Sequence, residues 1–149
     1  MMLIKVLGLD VPSADIAAPA DLVVGTRVDV FGWGATCTDR SEADCQSDVL
    51  KQAALSVLPN SDQRCLDEHL VSPEPTDFCA ERIDGVPAGG DSGGPAMLTR
   101  PGGGKPLIGV LSVSDRERLA GMGNVARQRA WTDTVTKTAA GEPRTGAIG

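Results

Sequence analysis

Short apolar, strand-like runs alternate with turn signals at regular intervals along this chain. "MMLIKV" at 1–6 predicts a brief apolar strand, and "VPSADIAAPADLVVG" at 11–25, with two prolines among small residues, an extended connector. "TRVDVFGWG" alternates around Val28 and Val30 and ends in a Gly-Trp-Gly turn, and "LKQAALSVL" at 50–58 suits a half-buried strand. "SDQRCLDEHL" opens on Ser61, an N-cap residue type, and carries acids in its first turns, which predicts one short helix. "FCAERI" and "GGPAML" are strand-like, "KPLIGVLSVS" is the strongest strand in the chain, and "NVARQRA" predicts the last one. "WTDTVTKTAA" has modest helical character, and "GEPRTGAIG" reads as a loose tail. There is no internal repeat and no heptad pattern. Short strands separated by Gly, Pro and Asp turns, with a helix at the end, predict an all-β antiparallel barrel or sandwich.

Composition narrows the function classes more than the fold. A chain of 149 residues, 41% hydrophobic, forms one domain or part of a larger protein. Aromatics make up only 3% and tyrosine is absent, so the core must be aliphatic. A net charge of -6 without any lysine- or arginine-rich run argues against nucleic acid and against anionic membrane surfaces as partners. No apolar stretch approaches the roughly 20 residues that span a bilayer. The opening "MMLIKVLGLDVPSAD" lacks the basic and apolar regions of a signal peptide. Cys37, Cys45, Cys65 and Cys79 contain no C-x-x-C pair, and His69 is the only histidine, which argues against a metal site. Four cysteines among 18 Gly and 10 Pro read as two disulfides in an oxidising compartment or as four buried thiols. Nothing calls for a cofactor.

The candidate chemistry is concentrated in "VPAGGDSGGPAML", Val86 to Leu98. A serine hydroxyl becomes a nucleophile only when a base takes its proton and donors stabilise the oxyanion that follows. Glycines around Ser92 allow a tight turn that aims backbone N–H groups at one spot with no side chain in the way. Asp91, if buried, requires a cationic partner. A plain Gly-rich turn would also produce this pattern. Gly90, Ser92 and Gly94 formally fit the nucleophile elbow of an α/β-hydrolase, but that elbow needs a strand before it, a helix after it and a downstream histidine. Pro87 interrupts the approach, "AMLTRPGGG" is not helical, and no histidine follows Ser92.

"GDSGGP" at 90–95 closely resembles the nucleophile signature of the chymotrypsin-like (trypsin-like) serine proteases, and other segments match that family in order and spacing over roughly residues 1–135. "FGWGATC" at 31–37 resembles its Gly-Trp-Gly strand end. "LKQAALSVLPNSDQRC" at 50–65 is similar to the strand and helix start before a cysteine. Cys65, Cys79 and Ala80 match the loop disulfide after that helix, "PLIGVLSV" the strand beside bound peptide, and "NVARQRAWT" the closing strand and terminal tryptophan. The resemblance implies the second, six-stranded antiparallel Greek-key barrel of a double-barrel protease, with a short C-terminal helix. Residues 1–25 would then be the end of the first barrel and the connector, 26–135 the second barrel, and 136–149 a flexible tail.

By position the resemblance makes Ser92 the nucleophile and the N–H groups of Gly90 and Ser92 the oxyanion hole, each donor lowering the barrier by about 3 kcal/mol. Asp91 would pair with the amino terminus freed by proenzyme cleavage. Ser112, Val113 and Ser114 would line the channel of an extended peptide. The substrate side-chain pocket would have its floor at Val86, its wall at Ser114 and its far side at Gly123. An apolar Val86 argues against lysine or arginine specificity, with Asp84 nearby as a qualification. The resemblance also implies Cys37–Cys45 and Cys65–Cys79 bridges and secretion. Two family bridges are replaced, one at Ala88 and the other by Val28 and Leu98, an apolar pair where two cysteines would meet. The larger departure is the missing base. The family's triad runs His, Asp, Ser, and "MMLIKV" resembles the run that follows the aspartate, which places His and Asp upstream of Met1 in an N-terminal barrel. His69 with Asp77 or Asp84 keeps the right order, but the resemblance puts His69 on a surface helix remote from Ser92. The expected function is a serine endopeptidase acting on peptide or protein, with this chain inactive alone. The alternative is a catalytically inert half-protease that binds peptides or a partner.

Overall fold

The computed structural model describes residues 10–37, 39–72, 76–100 and 102–139. Six strands close on themselves: β1 (Arg27–Gly32), β2 (Lys51–Val57), β3 (Asp77–Asp84), β4 (Pro95–Leu98), β5 (Leu107–Ser114) and β6 (Leu119–Asn124). Their order around the barrel is β1-β2-β3-β6-β5-β4, antiparallel at every seam. Two three-strand meanders are joined by a β3–β4 connection that carries β4 across to lie beside β1, a Greek-key path. Two α-helices are present among the described residues, α1 (Gln63–Asp67) and α2 (Arg129–Ala139). The architecture agrees with the barrel and short terminal helix expected from the sequence. No helix in the described residues is long and apolar enough to cross a membrane. The strand expected at 1–6 and the tail at 140–149 lie outside the described residues.

The barrel closes because each strand turns every second side chain inward. Val28 and Val30, Leu55 and Val57, Phe78 and Ala80, Ala96 and Leu98, and Ala120 and Met122 form the common core. Fully burying a Leu or Phe side chain stabilises by roughly 1.5–3 kcal/mol, so Leu55, Phe78 and Ile108 anchor this interior. β5 breaks the parity with Ile108 and Leu111. Ala96 faces Gly109 but Met97 faces Leu107, so Ile108 is an extra residue against β4. Gly109 carries no side chain because the Phe78 ring fills its place, 2.7 Å from where a β-carbon would stand. A second cluster of Cys65, Leu70, Val71, Cys79 and Leu119 packs outside β3 and β6 beneath α1. The Cys65–Cys79 disulfide lies inside it. Val28 and Leu98 are direct cross-strand partners. The two positions where apolar residues stand for a family bridge therefore do meet.

Three boundaries differ from expectation. The last strand is "LAGMGN", not "NVARQRA": its glycines resemble a turn, but Ala120 and Met122 supply the inward positions. Asn124 accepts from Arg127 N at 3.2 Å and starts a helical turn at Ala126–Gln128 that leads into α2. Asp62, not Ser61, caps α1, accepting from Arg64 N at 3.1 Å. α2 runs to Ala139, past residue 136 where the tail was expected to begin.

Candidate functional site

The register decides which connections share an end of the barrel. Gly32 faces Lys51, Ala54 faces Asp84, Val30 faces Ala96 and Ser114 faces Ala120. The β1–β2, β3–β4 and β5–β6 connections therefore meet at one end, with Ser92 in the middle one. Its loop is two tight turns in succession: Asp91 N donates to Ala88 O at 3.1 Å and Gly94 N to Asp91 O at 2.9 Å. Gly90 and Gly93 take φ of 96° and 86°, the left-handed region where glycine is at ease. Gly93 N donates to Leu111 O and Leu111 N to Gly94 O, both at 2.9 Å, which straps the loop to β5. Ser92 is left exposed, its Oγ donating to Ser112 O at 3.5 Å. Among the described residues, neither Gly90 N–H nor Ser92 N–H has an acceptor.

Asp91 turns the other way, into the barrel end. Its Oδ1 accepts from Gly34 N at 2.7 Å and its Oδ2 from Ala88 N at 2.9 Å. A β-carbon at Gly32 or Gly34 would overlap this carboxylate, which gives the Gly-Trp-Gly turn a physical reason. Beside it is a cavity of about 330 Å³ lined in part by Val30, Lys51, Ala53, Val86 and Pro87. Above it, the β1–β2 connection is closed by the Cys37–Cys45 disulfide and folds over Gly89 and Gly90. Ala35 N donates to Gly89 O at 2.8 Å, Gln46 Nε2 to the same oxygen at 3.2 Å, and Glu42 pairs with Arg116 of the β5–β6 connection. Asp115 shapes that connection, accepting from Glu117, Arg118 and Leu119 N–H at 2.8–2.9 Å. Burial opposes its ionisation, but those amides outweigh burial and hold its carboxyl below the usual value.

An exposed serine in a double glycine turn, backed by a buried-facing acid on a six-stranded barrel, is a specific combination, and the family profile described as Trypsin matches residues 5–132. The chain belongs to the trypsin family. No curated protein matches it. Membership places the chain in a serine-protease-like family whose substrates are peptides or proteins, and its two disulfides are consistent with an extracellular setting.

Within this trypsin-family barrel the remaining residues singled out from sequence separate into those gathered at Ser92 and those elsewhere. Ser112 is an extra residue between the Leu111↔Met122 and Val113↔Gly121 pairs. β4 begins at Pro95 opposite Val110, so Ser112, Val113 and Ser114 have a strand neighbour on one side only. Ser114 Oγ donates to Leu119 O at 3.1 Å and closes the β5–β6 turn. Val86 is half-buried in the wall of the cavity beside Asp91. Gly123 does not face Ser114. It pairs with Val110 and Asp77, while Ala120 stands opposite Ser114, because the β5–β6 turn occupies only residues 115–118. His69 is exposed in the β2–β3 connection, at the other end of the barrel. Asp77 is engaged by Ser72, whose Oγ donates to it at 3.0 Å. Cys37, Asp39 and Cys45 bring ligand-type atoms within 4.8 Å of one another, but both sulfurs are committed to the disulfide. Gln46, Glu42 and Arg116 escaped the sequence reading, since a lone polar residue in a loop carries no periodic or motif signal.

Proposed function

We propose that this chain is the second barrel of a secreted chymotrypsin-like serine endopeptidase, with Ser92 as nucleophile and a histidine and aspartate supplied from a first barrel. In this reading residues 26–135 are the barrel, residues 1–25 include the connector, and the tail begins after α2. What carries the reading is the surroundings of Ser92: an exposed hydroxyl, two neighbouring amides with no acceptor among the described residues, and the one-sided stretch 112–114 of β5. An extended peptide laid along Ser112–Ser114 by main-chain hydrogen bonds would bring its carbonyl to Ser92 Oγ. The hydroxyl adds to that carbonyl as the base removes its proton, and the oxyanion is received by Gly90 and Ser92 N–H. Collapse expels the amine, protonated by the same base, and water repeats the sequence on the acyl-serine. Val86 at the pocket floor favours an uncharged side chain. Asp91 holds the turn that aims the donors.

In this reading the base approaches past Ser112, over the face that β5 shares with β6. A groove of about 680 Å³ runs there, lined by Ile16, Leu107, Val110, Ser112, Gly123 and Val125 among others. In this reading the first barrel covers that groove. Fluorophosphonate labelling tests it on the 149-residue chain alone and on the chain joined to its upstream coding sequence, each beside a Ser92→Ala control. The expected result is no labelling of the chain alone and stoichiometric labelling at Ser92 of the joined form. Labelling of the chain alone would place a base within it, and no labelling of either would remove the endopeptidase reading. The alternative, a peptide-binding half-protease, draws on the placement of His69 at the far end of the barrel, and predicts peptide capture without labelling in both forms.

A further inference from the structure

The Gly89–Gly90 peptide is held in one orientation by contacts from the β1–β2 connection, one of them from the side chain of Gln46. We propose that Gln46 is a positioning residue, a latch that keeps the Gly89 carbonyl inward and so aims the Gly90 N–H at the carbonyl oxygen of a group attached to Ser92. The inference rests on the endopeptidase reading for its consequence, but its geometry stands independently. In a planar trans peptide the carbonyl of one residue and the N–H of the next point in opposite directions. Gly89 O accepts from Ala35 N at 2.8 Å and from Gln46 Nε2 at 3.2 Å. With the carbonyl pinned toward the β1–β2 connection, the Gly90 N–H faces the opposite way, outward, and it has no acceptor among the described residues.

A Gly-Gly step is the easiest dipeptide to flip, because neither residue resists a change of φ and ψ. Flipped, it would set Gly90 N–H against the Ala35 N–H, donor to donor, and present a carbonyl oxygen where the oxyanion forms. Gln46 opposes this twice. Its amide donates to Gly89 O, and it packs so closely on Gly90 that a β-carbon there would stand 2.5 Å from Gln46 Oε1. Gln46 is itself fixed. It bridges to Ala35 and follows Cys45 of the disulfide, and its Nε2 also donates to Glu42 O at 3.0 Å. Glu42 in turn is tied to Arg116.

Two variants of the 149-residue chain test the latch. Gln46→Glu keeps the shape and loses the donor, and Gln46→Ala removes the amide. The side chain is exposed, so both should fold with the wild-type near-ultraviolet circular dichroism. Amide hydrogen exchange is the first readout: Ala35 N–H should exchange about tenfold faster in both variants, the factor one hydrogen bond of ordinary strength is worth. Binding of a peptide boronate, whose oxygen occupies the oxyanion position, is the second. It should weaken about tenfold while affinity for an uncleavable extended peptide stays unchanged. Unchanged exchange at Ala35, or boronate and peptide affinities falling together, would overturn the latch. Should the wild-type chain take up no boronate at all, the exchange result alone decides the role of Gln46, and the endopeptidase reading is judged by the labelling experiment.

Discussion

Asp91 is held by Gly34 and Ala88 inside the barrel end, and a double-mutant cycle measures how tightly. Asp91→Ala removes two short, charge-assisted hydrogen bonds and leaves the Gly34 and Ala88 amides without a partner. Hydrogen bonds to a charged group contribute about 1.5–3 kcal/mol each. Water entering the neighbouring cavity of about 330 Å³ recovers part of that loss. A net cost of about 3 kcal/mol follows, a large share of the roughly 5–15 kcal/mol that stabilises a domain. Gly34→Ala perturbs the same contact from the other side. Its backbone is not left-handed, so the cost is steric: the new methyl overlaps the carboxylate. Overpacking of this kind costs about 1–3 kcal/mol.

The two changes are not independent. With Asp91 truncated, the space that the Gly34→Ala methyl invades is empty, and its penalty should nearly vanish. The double variant should therefore be more stable than the sum of the singles by about 1–3 kcal/mol. Urea unfolding followed by tryptophan fluorescence is the assay, since Trp33 adjoins Gly34 and is 56% exposed. Distant, unconnected sites add within about 0.3–0.5 kcal/mol. Additivity within that margin would refute the statement that the carboxylate occupies the space over Gly34.

The buried carboxylate Asp29, 2% exposed, yields a pH-dependent prediction. Burial opposes its ionisation, but hydrogen bonds from Thr99, Arg27 and Lys105 outweigh burial and hold its carboxyl below the usual range. A depressed folded pKa stabilises above the unfolded value near 4 and loses that contribution as pH falls through the folded pKa. Asp29→Asn should therefore cost about 2 kcal/mol at pH 7, with the gap to wild type closing in acid; a gap independent of pH in urea titrations from pH 7 to 2 would contradict this. Val28 and Leu98 invite the opposite experiment. Antiparallel partners stand about 4.5–5.5 Å apart at Cα, within disulfide reach, so the Val28→Cys, Leu98→Cys double variant should oxidise on air exposure and gain up to roughly 4 kcal/mol; two persistent free thiols by mass spectrometry would refute the register.

Strands whose inward positions carry aliphatic side chains were legible from the pattern alone. Val28 and Val30, and Leu55 and Val57, mark their strands because a core rewards aliphatic residues at that spacing, whereas β5 stood out by its apolar run despite the broken parity of Ile108 and Leu111. β6 was misplaced because two of its six residues are glycines, one of which, Gly121, is required by the close approach of the Leu70 carbonyl far away in sequence. The same cause hid the true neighbour of Ser114. Gly123, expected at the far side of the pocket, pairs with Val110 and Asp77, and only the register of a four-residue turn shows that Ala120 is the residue opposite Ser114. Ser92 and its glycines were legible because a tight turn demands a contiguous motif. Gln46, Glu42 and Arg116 were not, since loop-to-loop contacts depend on which connections share an end of the barrel.

That division bears on how a base could reach Ser92. Its loop is held from two sides by different means: the Asp91 carboxylate grips the turn from within, and the Gln46 amide grips the Gly89 carbonyl from above. The 37–46 loop and Arg116 close the rim beyond them. In the endopeptidase reading, an imidazole arriving on that side would meet the contacts that hold the turn and the Gly89 carbonyl. The groove past Ser112 is different. It is bounded by side chains of β5, β6 and the connector at Ile16, and it leads to the carbonyl on which Ser92 Oγ rests. A histidine entering along it would exchange the 3.5 Å contact to Ser112 O for a shorter one to its own nitrogen, leaving the oxyanion donors undisturbed. In the endopeptidase reading, then, the nucleophile and its donors belong to one barrel, and the groove past Ser112 is the approach it offers the base.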